Sequence, residues 1–232
     1  MDGPRPCEDE KLRGKVVHVT ASHSLITSHI DHELSLLDVF RKSHEHGGLF
    51  FRDSYVTNEP RKLVHKFCKS ATRCWTSKNA GGNSIASESL SMHYFFERFH
   101  ARKFLLEMEI RYNYYNWKMC DFICTLYAQR VGVSVTRAMS FPNPDDFTRE
   151  DAHVLLKKKM SGLLMSRTSV VAEQSFQICF LHIWCQTPRI AALLETAFPA
   201  VIAEDDTDTF REIIVLATVY AEKFIFQNRY TV

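Results

Sequence analysis

The chain has 232 residues, is 45% hydrophobic and 24% charged, and carries a net charge of +2. That apolar content builds a sizeable core and excludes a disordered chain, and so small a charge does not by itself imply a nucleic-acid partner. No apolar run approaches the ~20 residues needed to span a bilayer, and the longest, Ile213 to Ala221, falls far short.

Residues 1–14 are polar, contain proline and lack the apolar run of a signal peptide, so they read as a flexible tail ahead of a single domain, residues 15–232. Lys15 to Thr20 is a short-strand candidate. Ile26, Ile30, Leu34, Leu37 and Phe40 step by three and four, which predicts an amphipathic helix over roughly 24–44, stopped by Gly47-Gly48. His23, His29, His32, His44 and His46 cluster here; His29 and Glu33 are spaced to chelate, but no H-E-x-x-H is present and these read as surface histidines. Leu49 to Val56 reads as extended or loop.

Asn58-Glu59-Pro60 opens a predicted helix that runs to about Lys78. Lys62, His65, Lys66, Lys69 and Arg73 share one face, and Leu63, Val64, Phe67, Cys68, Ala71, Cys74 and Trp75 the other. No acid falls between Glu59 and Glu88, while Arg61 adds to the basic set. Such a face suits a phosphate backbone, where each contact releases counterions, and equally an acidic protein or anionic headgroups.

From Ser84 to Val131 the chain has 48 residues without glycine or proline, a pattern that reads as helix. A straight helix of that length spans ~72 Å, while a compact chain of this size is about 45 Å across. The segment is therefore expected to bend or break near Asn113–Asn116, where propensity is lowest. Its two apolar stripes place it at the centre of the core. A sharper reading makes its tyrosines and Trp117 a stacking platform for bases beside Arg98, Arg102 and Lys103.

Residues after Gly132 (VSVTRAMSF) read as extended, and FPNPDD as a turn. Thr148 caps a helix expected to reach about Ser166, interrupted or ended near Gly162. Ser169 to Gln186 reads as another helix. Thr187-Pro188 starts one that stops before Pro199. Thr209 and Glu212 form a capping box for a last helix that buries Phe210, Ile213, Ile214, Ala217, Tyr220 and Phe224.

The seven cysteines are odd in number and lack a disulfide spacing, which places the chain in a reducing intracellular compartment, cytoplasm and nucleus undistinguished. On helices, Cys120 with Cys124 and Cys179 with His182 would each share a face, and two such pairs on packed helices make a tetrahedral zinc site. Both lie in apolar surroundings where cysteine is a small core residue, so buried thiols and no cofactor are expected. No phosphate-cradling loop, dinucleotide fingerprint, nucleophile elbow or kinase set occurs, and eight glycines leave little material for such loops. The expectation is a non-enzyme.

The sum is an all-α or nearly all-α domain of about seven or eight helices around a long central one. Its function reads as intracellular and regulatory, binding a protein partner through a helical surface. The alternative is an RNA- or DNA-binding module using Arg61, Lys62, His65, Lys66, Lys69 and Arg73 with Arg98, Arg102 and Lys103. The mixture of aromatics, histidines and thiols is similar in general character to viral accessory and host-regulatory proteins, though no run of residues matches a family motif.

Overall fold

In the computed structural model, which describes residues 17–18, 49–56, 60–77, 84–114, 117–207 and 209–227, a β-sheet occupies the centre. Its strands are β1 (Val17–His18), β2 (Leu49–Ser54), β3 (Arg102–Leu106), β4 (Phe122–Leu126), β5 (Gln129–Ala138), β6 (Ile178–Cys185) and β7 (Ile213–Val219), in the order β1-β2-β7-β6-β5-β4-β3. Neighbours from β1 to β5 are parallel, and β3 and β4 add antiparallel strands at one edge. The fold is mixed α/β, and the expectation of an all-α bundle is overturned. The physical reason lies in β6 and β7. Their sequences, ICFLHIWC and IIVLATV, are apolar on both parities because both faces of a central parallel strand are covered. Periodicity cannot tell such a run from a buried helix, and β-branched content was the clue that favoured strand.

The long glycine-free segment is not one bent helix but a helix, two strands and the start of a third. Helix α2 (Ile85–Phe99) stops where His100 adopts a left-handed φ of 52°. β3 and a 3-10 turn at Glu107–Glu109 follow, then β4, then β5. Asn113 and Tyr114 lie in a bend outside any helix, and Tyr115 and Asn116 fall outside the described residues. Tyr127 and Ala128 turn β4 into β5 with φ of 46° and 67°. A two-residue hairpin turn asks for positive φ at both positions, normally flagged by Asn-Gly. Tyr-Ala gives no such flag, so the reversal is silent in the sequence.

Helices cover both faces. Helix α1 (Lys69–Thr76), α2 and the short α5 (Phe224–Gln227) pack on one, around Phe95, Phe122, Phe180 and Trp184. Helices α3 (Arg149–Ser169) and α4 (Pro188–Ala203) pack on the other, around Leu156, Leu181, Leu194 and Val215. They form the crossovers β5-α3-β6 and β6-α4-β7, each joining neighbouring parallel strands. Thr148 and Thr187 cap these helices as the sequence predicts, each accepting a bond from a backbone N–H. Gly162 does not interrupt α3, and α4 runs past Pro199 to Ala203. The helix expected over 169–186 is replaced by β6, and the last expected helix by a 3-10 turn at Thr209–Glu212 followed by β7. β1 lies within the expected strand at Lys15–Thr20 and Leu49–Val56 supplies β2, while the helix expected over 24–44 and the tail at 1–14 lie outside the described residues.

Candidate functional site

The basic segment is two pieces rather than one helix. A 3-10 turn at Pro60–Lys66 is followed by α1, with Phe67 and Cys68 between them. The amphipathic division survives the break: Leu63, Phe67, Ala71 and Cys74 are buried, while His65, Lys66, Lys69 and Arg73 are exposed. The side chains of Arg61 and Lys62 lie outside the described set. Arg73 reaches the edge strand β3, donating to the Phe104 carbonyl at 3.0 Å and to Glu109 at 3.1 Å. Arg102 and Lys103 are exposed on the same strand, and the Arg102 guanidinium lies 4.8 Å from the centre of the Phe96 ring. Arg98 does not join them. It is turned inward, 4.0 Å from the buried Asp53 carboxylate and over the Tyr94 ring.

The strand assignment changes the geometry of the thiols. Residues three apart on a strand point to opposite faces, so Cys179 packs with the α3/α4 side while His182 meets Tyr94 and Phe95 on the other. Cys120, which precedes β4, and Cys124 within it also sit in different clusters. Among the described residues no group of three or more His, Cys, Asp or Glu is placed to hold a metal. The six described cysteines are free. Burial pushes the Cys120 thiol up to about 11 and Cys179 to about 12, so both are neutral and unreactive. His182 donates or accepts at Nε2 with Thr218 Oγ1 (3.0 Å), and burial lowers it to about 3.

Two further features stand out. One is a pocket of about 120 Å³ between α1, the first turn of α2 and the ends of β3 and β4, with Glu88, Glu107 and Asp121 among its lining residues. Burial foremost, then the charge of Asp121, raises Glu88 to about 8. Burial also raises Asp121, against the pull of hydrogen bonds from Val135 N (2.6 Å) and Ser134 Oγ (3.1 Å).

The other is an apolar surface where the chain leaves β3 and crosses α3. Tyr114 is 61% exposed and Trp117 42%, with ring centres 5.6 Å apart. The Trp117 indole N–H donates to the Met165 carbonyl of α3 at 2.9 Å, and the Met165 side chain is itself exposed. Met119 is exposed two residues on. Tyr114 and Trp117 of the expected stacking platform therefore lie at the surface, not in a central core helix, whereas Tyr112 is half-buried and Tyr94 is buried beneath Arg98.

No protein family matches the chain, and no solved structure matches it. The chain is 33% identical over 128 aligned positions, which cover 53% of it, to the AAC-rich mRNA clone AAC4 protein of Dictyostelium discoideum. The match spans 18% of that protein's length. No helix among the described residues is long and apolar enough to cross a membrane.

Glu88 and Asp121 escape sequence reasoning because 33 positions separate them and only the sheet brings them together. Tyr114 and Trp117 carry a signal, aromatic residues beside two helix-weakening asparagines, which fits a weak point in a buried helix and a stacking platform alike and does not show that the pair lies on α3.

Proposed function

We propose that the chain is a non-enzymatic intracellular interaction protein that binds a protein partner through the surface formed by Tyr114, Trp117 and Met165. The observation that supports this most directly is the exposure of two adjacent aromatic rings, of which the Trp117 indole is tied to the Met165 carbonyl. Exposed aromatic and methionine side chains held in place lose little freedom on binding, which is why such residues dominate protein–protein hot spots. Lys118 borders the patch, exposed and lying against Gly162 of α3, so an apolar partner segment with an acidic flank fits best. The free thiols suit a reducing compartment.

The test places a photo-crosslinking phenylalanine analogue at Tyr114, at Met165 and, as a control, at Val154, an exposed residue of α3. Irradiation of cells expressing the full chain is expected to give the same discrete protein adduct from positions 114 and 165 and none from 154. Adducts to RNA from those positions, or protein adducts no different from the control, overturn the proposal.

A further inference from the structure

Two carboxyl groups meet where α2 begins. Glu88, in the first turn of α2 and 4% exposed, donates a hydrogen bond to Asp121. Asp121 stands at the head of β4, in the notch where β5 runs on past it, and also accepts bonds from Val135 N and Ser134 Oγ. Those donors fix Asp121 as the acceptor and leave the proton on Glu88. Both residues line the pocket described above, together with Cys74, Leu106 and Glu107.

We propose that this shared proton is a latch: it ties the first turn of α2 to the head of β4, and its loss releases that turn and opens the pocket. This inference is independent of the partner-binding surface. Two ionised carboxylates in contact repel, and the elements packed around them oppose that repulsion only in part. Lys159 of α3 favours the charge on Asp121, and Arg137 of β5 lies in the field of Glu88 while donating to the Ile225 carbonyl at 2.7 Å. Glu107 beyond β3 adds a third negative charge, and Ser84 donates to Glu88. Cys74 of α1, raised to about 11, stays neutral through this range. His93, later on α2, is held below its ordinary value of 6.5 by burial, so its titration lies on the acid side.

Glu88 titrates near 4.5 when unfolded and near 8 when folded. The folded chain therefore holds the extra proton, and the stability it brings is full below about 4.5 and lost as pH rises through about 8. Trp184 of β6 reports on the latch, because its indole N–H donates to Ser87 O (3.1 Å) and Ser91 Oγ (2.8 Å) of α2.

The experiment follows the Trp184 indole N–H resonance of the full chain by nuclear magnetic resonance from about pH 7 to 9.5, a window set by the shifted carboxyl. Variants Trp75→Phe and Trp117→Phe assign it. The expected result is a shift with its midpoint near 8, absent in Glu88→Gln, which carries a permanent donor. No shift in the unaltered chain, or the same shift in Glu88→Gln, overturns the latch. Should Glu88→Gln fail to fold, carbon-13 detection of the Glu88 carboxyl in the unaltered chain decides, and a midpoint near the ordinary value of 4.5 refutes it.

Discussion

Under α3 and α4 the sheet meets Leu156, Met160, Leu163, Ile190, Leu194 and Val201, each at most 1% exposed and none with a side-chain nitrogen or oxygen. Under α1 and α2 it meets Tyr94, Phe95, His182, Trp184 and Asp53, also buried but rich in polar atoms. That first side is governed mainly by volume and shape, its buried polar side chains on α3 being the hydroxyls of Ser166 and Ser169. The aromatic face must also match donors with acceptors: the Tyr94 hydroxyl donates to Asp53, Trp184 to Ser87 and Ser91, and His182 pairs with Thr218 through one nitrogen. The other nitrogen of His182 is buried with no hydrogen-bond partner, a state that costs roughly 1–3 kcal/mol. A protein that needs a core does not need such a face, so the contrast marks where ionisable groups are gathered and where the carboxyl latch sits.

The largest expected effect tests the aromatic face. Trp184→Ala removes a fully buried indole and strands two serine groups, and is expected to destabilise by about 3–5 kcal/mol in urea unfolding, at or above the cost of Leu194→Ala on the opposite face. Trp184→Phe separates volume from hydrogen bonding. It keeps most of the ring and loses only the N–H, for an expected cost of about 1 kcal/mol. A neutral Trp184→Phe would erase the distinction between the faces.

The aliphatic face is tested by adding an atom. A Cβ on Gly132 would lie 2.2 Å from the Phe176 ring, so Gly132→Ala forces the ring aside. Overpacking of this kind costs about 1–3 kcal/mol. Phe176→Leu in the same chain is expected to recover part of that loss, giving a coupling energy well above the roughly 0.5 kcal/mol seen for independent sites. Additive losses would show that shape does not govern this face.

The two faces were not equally legible in the sequence. Thr148 and Thr187 announce α3 and α4 through capping chemistry that acts over three residues, and the structure keeps both. β6 and β7 were hidden because strands buried on both faces lose their alternation, and the hairpin at Tyr127-Ala128 because its positive φ values fall on residues that seldom adopt them. The amphipathic split of the basic segment was readable, but not the inward turn of Arg98 toward Asp53. Glu88 and Asp121 could not be paired at all. Their contact is made by strand order, which is long-range information that no local window holds.

The smallest expected effect concerns the cap that made α3 legible. Thr148 Oγ1 accepts from the Asp151 backbone N–H at 3.1 Å, and Asp151 Oδ2 accepts from the Thr148 N–H at 2.8 Å. Thr148→Ala removes the first bond and the hydroxyl's own donation to Asp151 and is expected to destabilise by about 1 kcal/mol, with Thr148→Ser nearly neutral. Those bonds hold the Asp151 carboxyl below its ordinary 3.8. Its contribution is therefore present above that value and lost as pH falls through the lower folded one. Urea unfolding of the unaltered and Thr148→Ala chains should differ most at pH 6, and the gap should narrow without closing as the carboxyl protonates, because the backbone bond to Oγ1 does not titrate. An undiminished gap in acid would mean that the hydroxyl acts on the helix backbone alone.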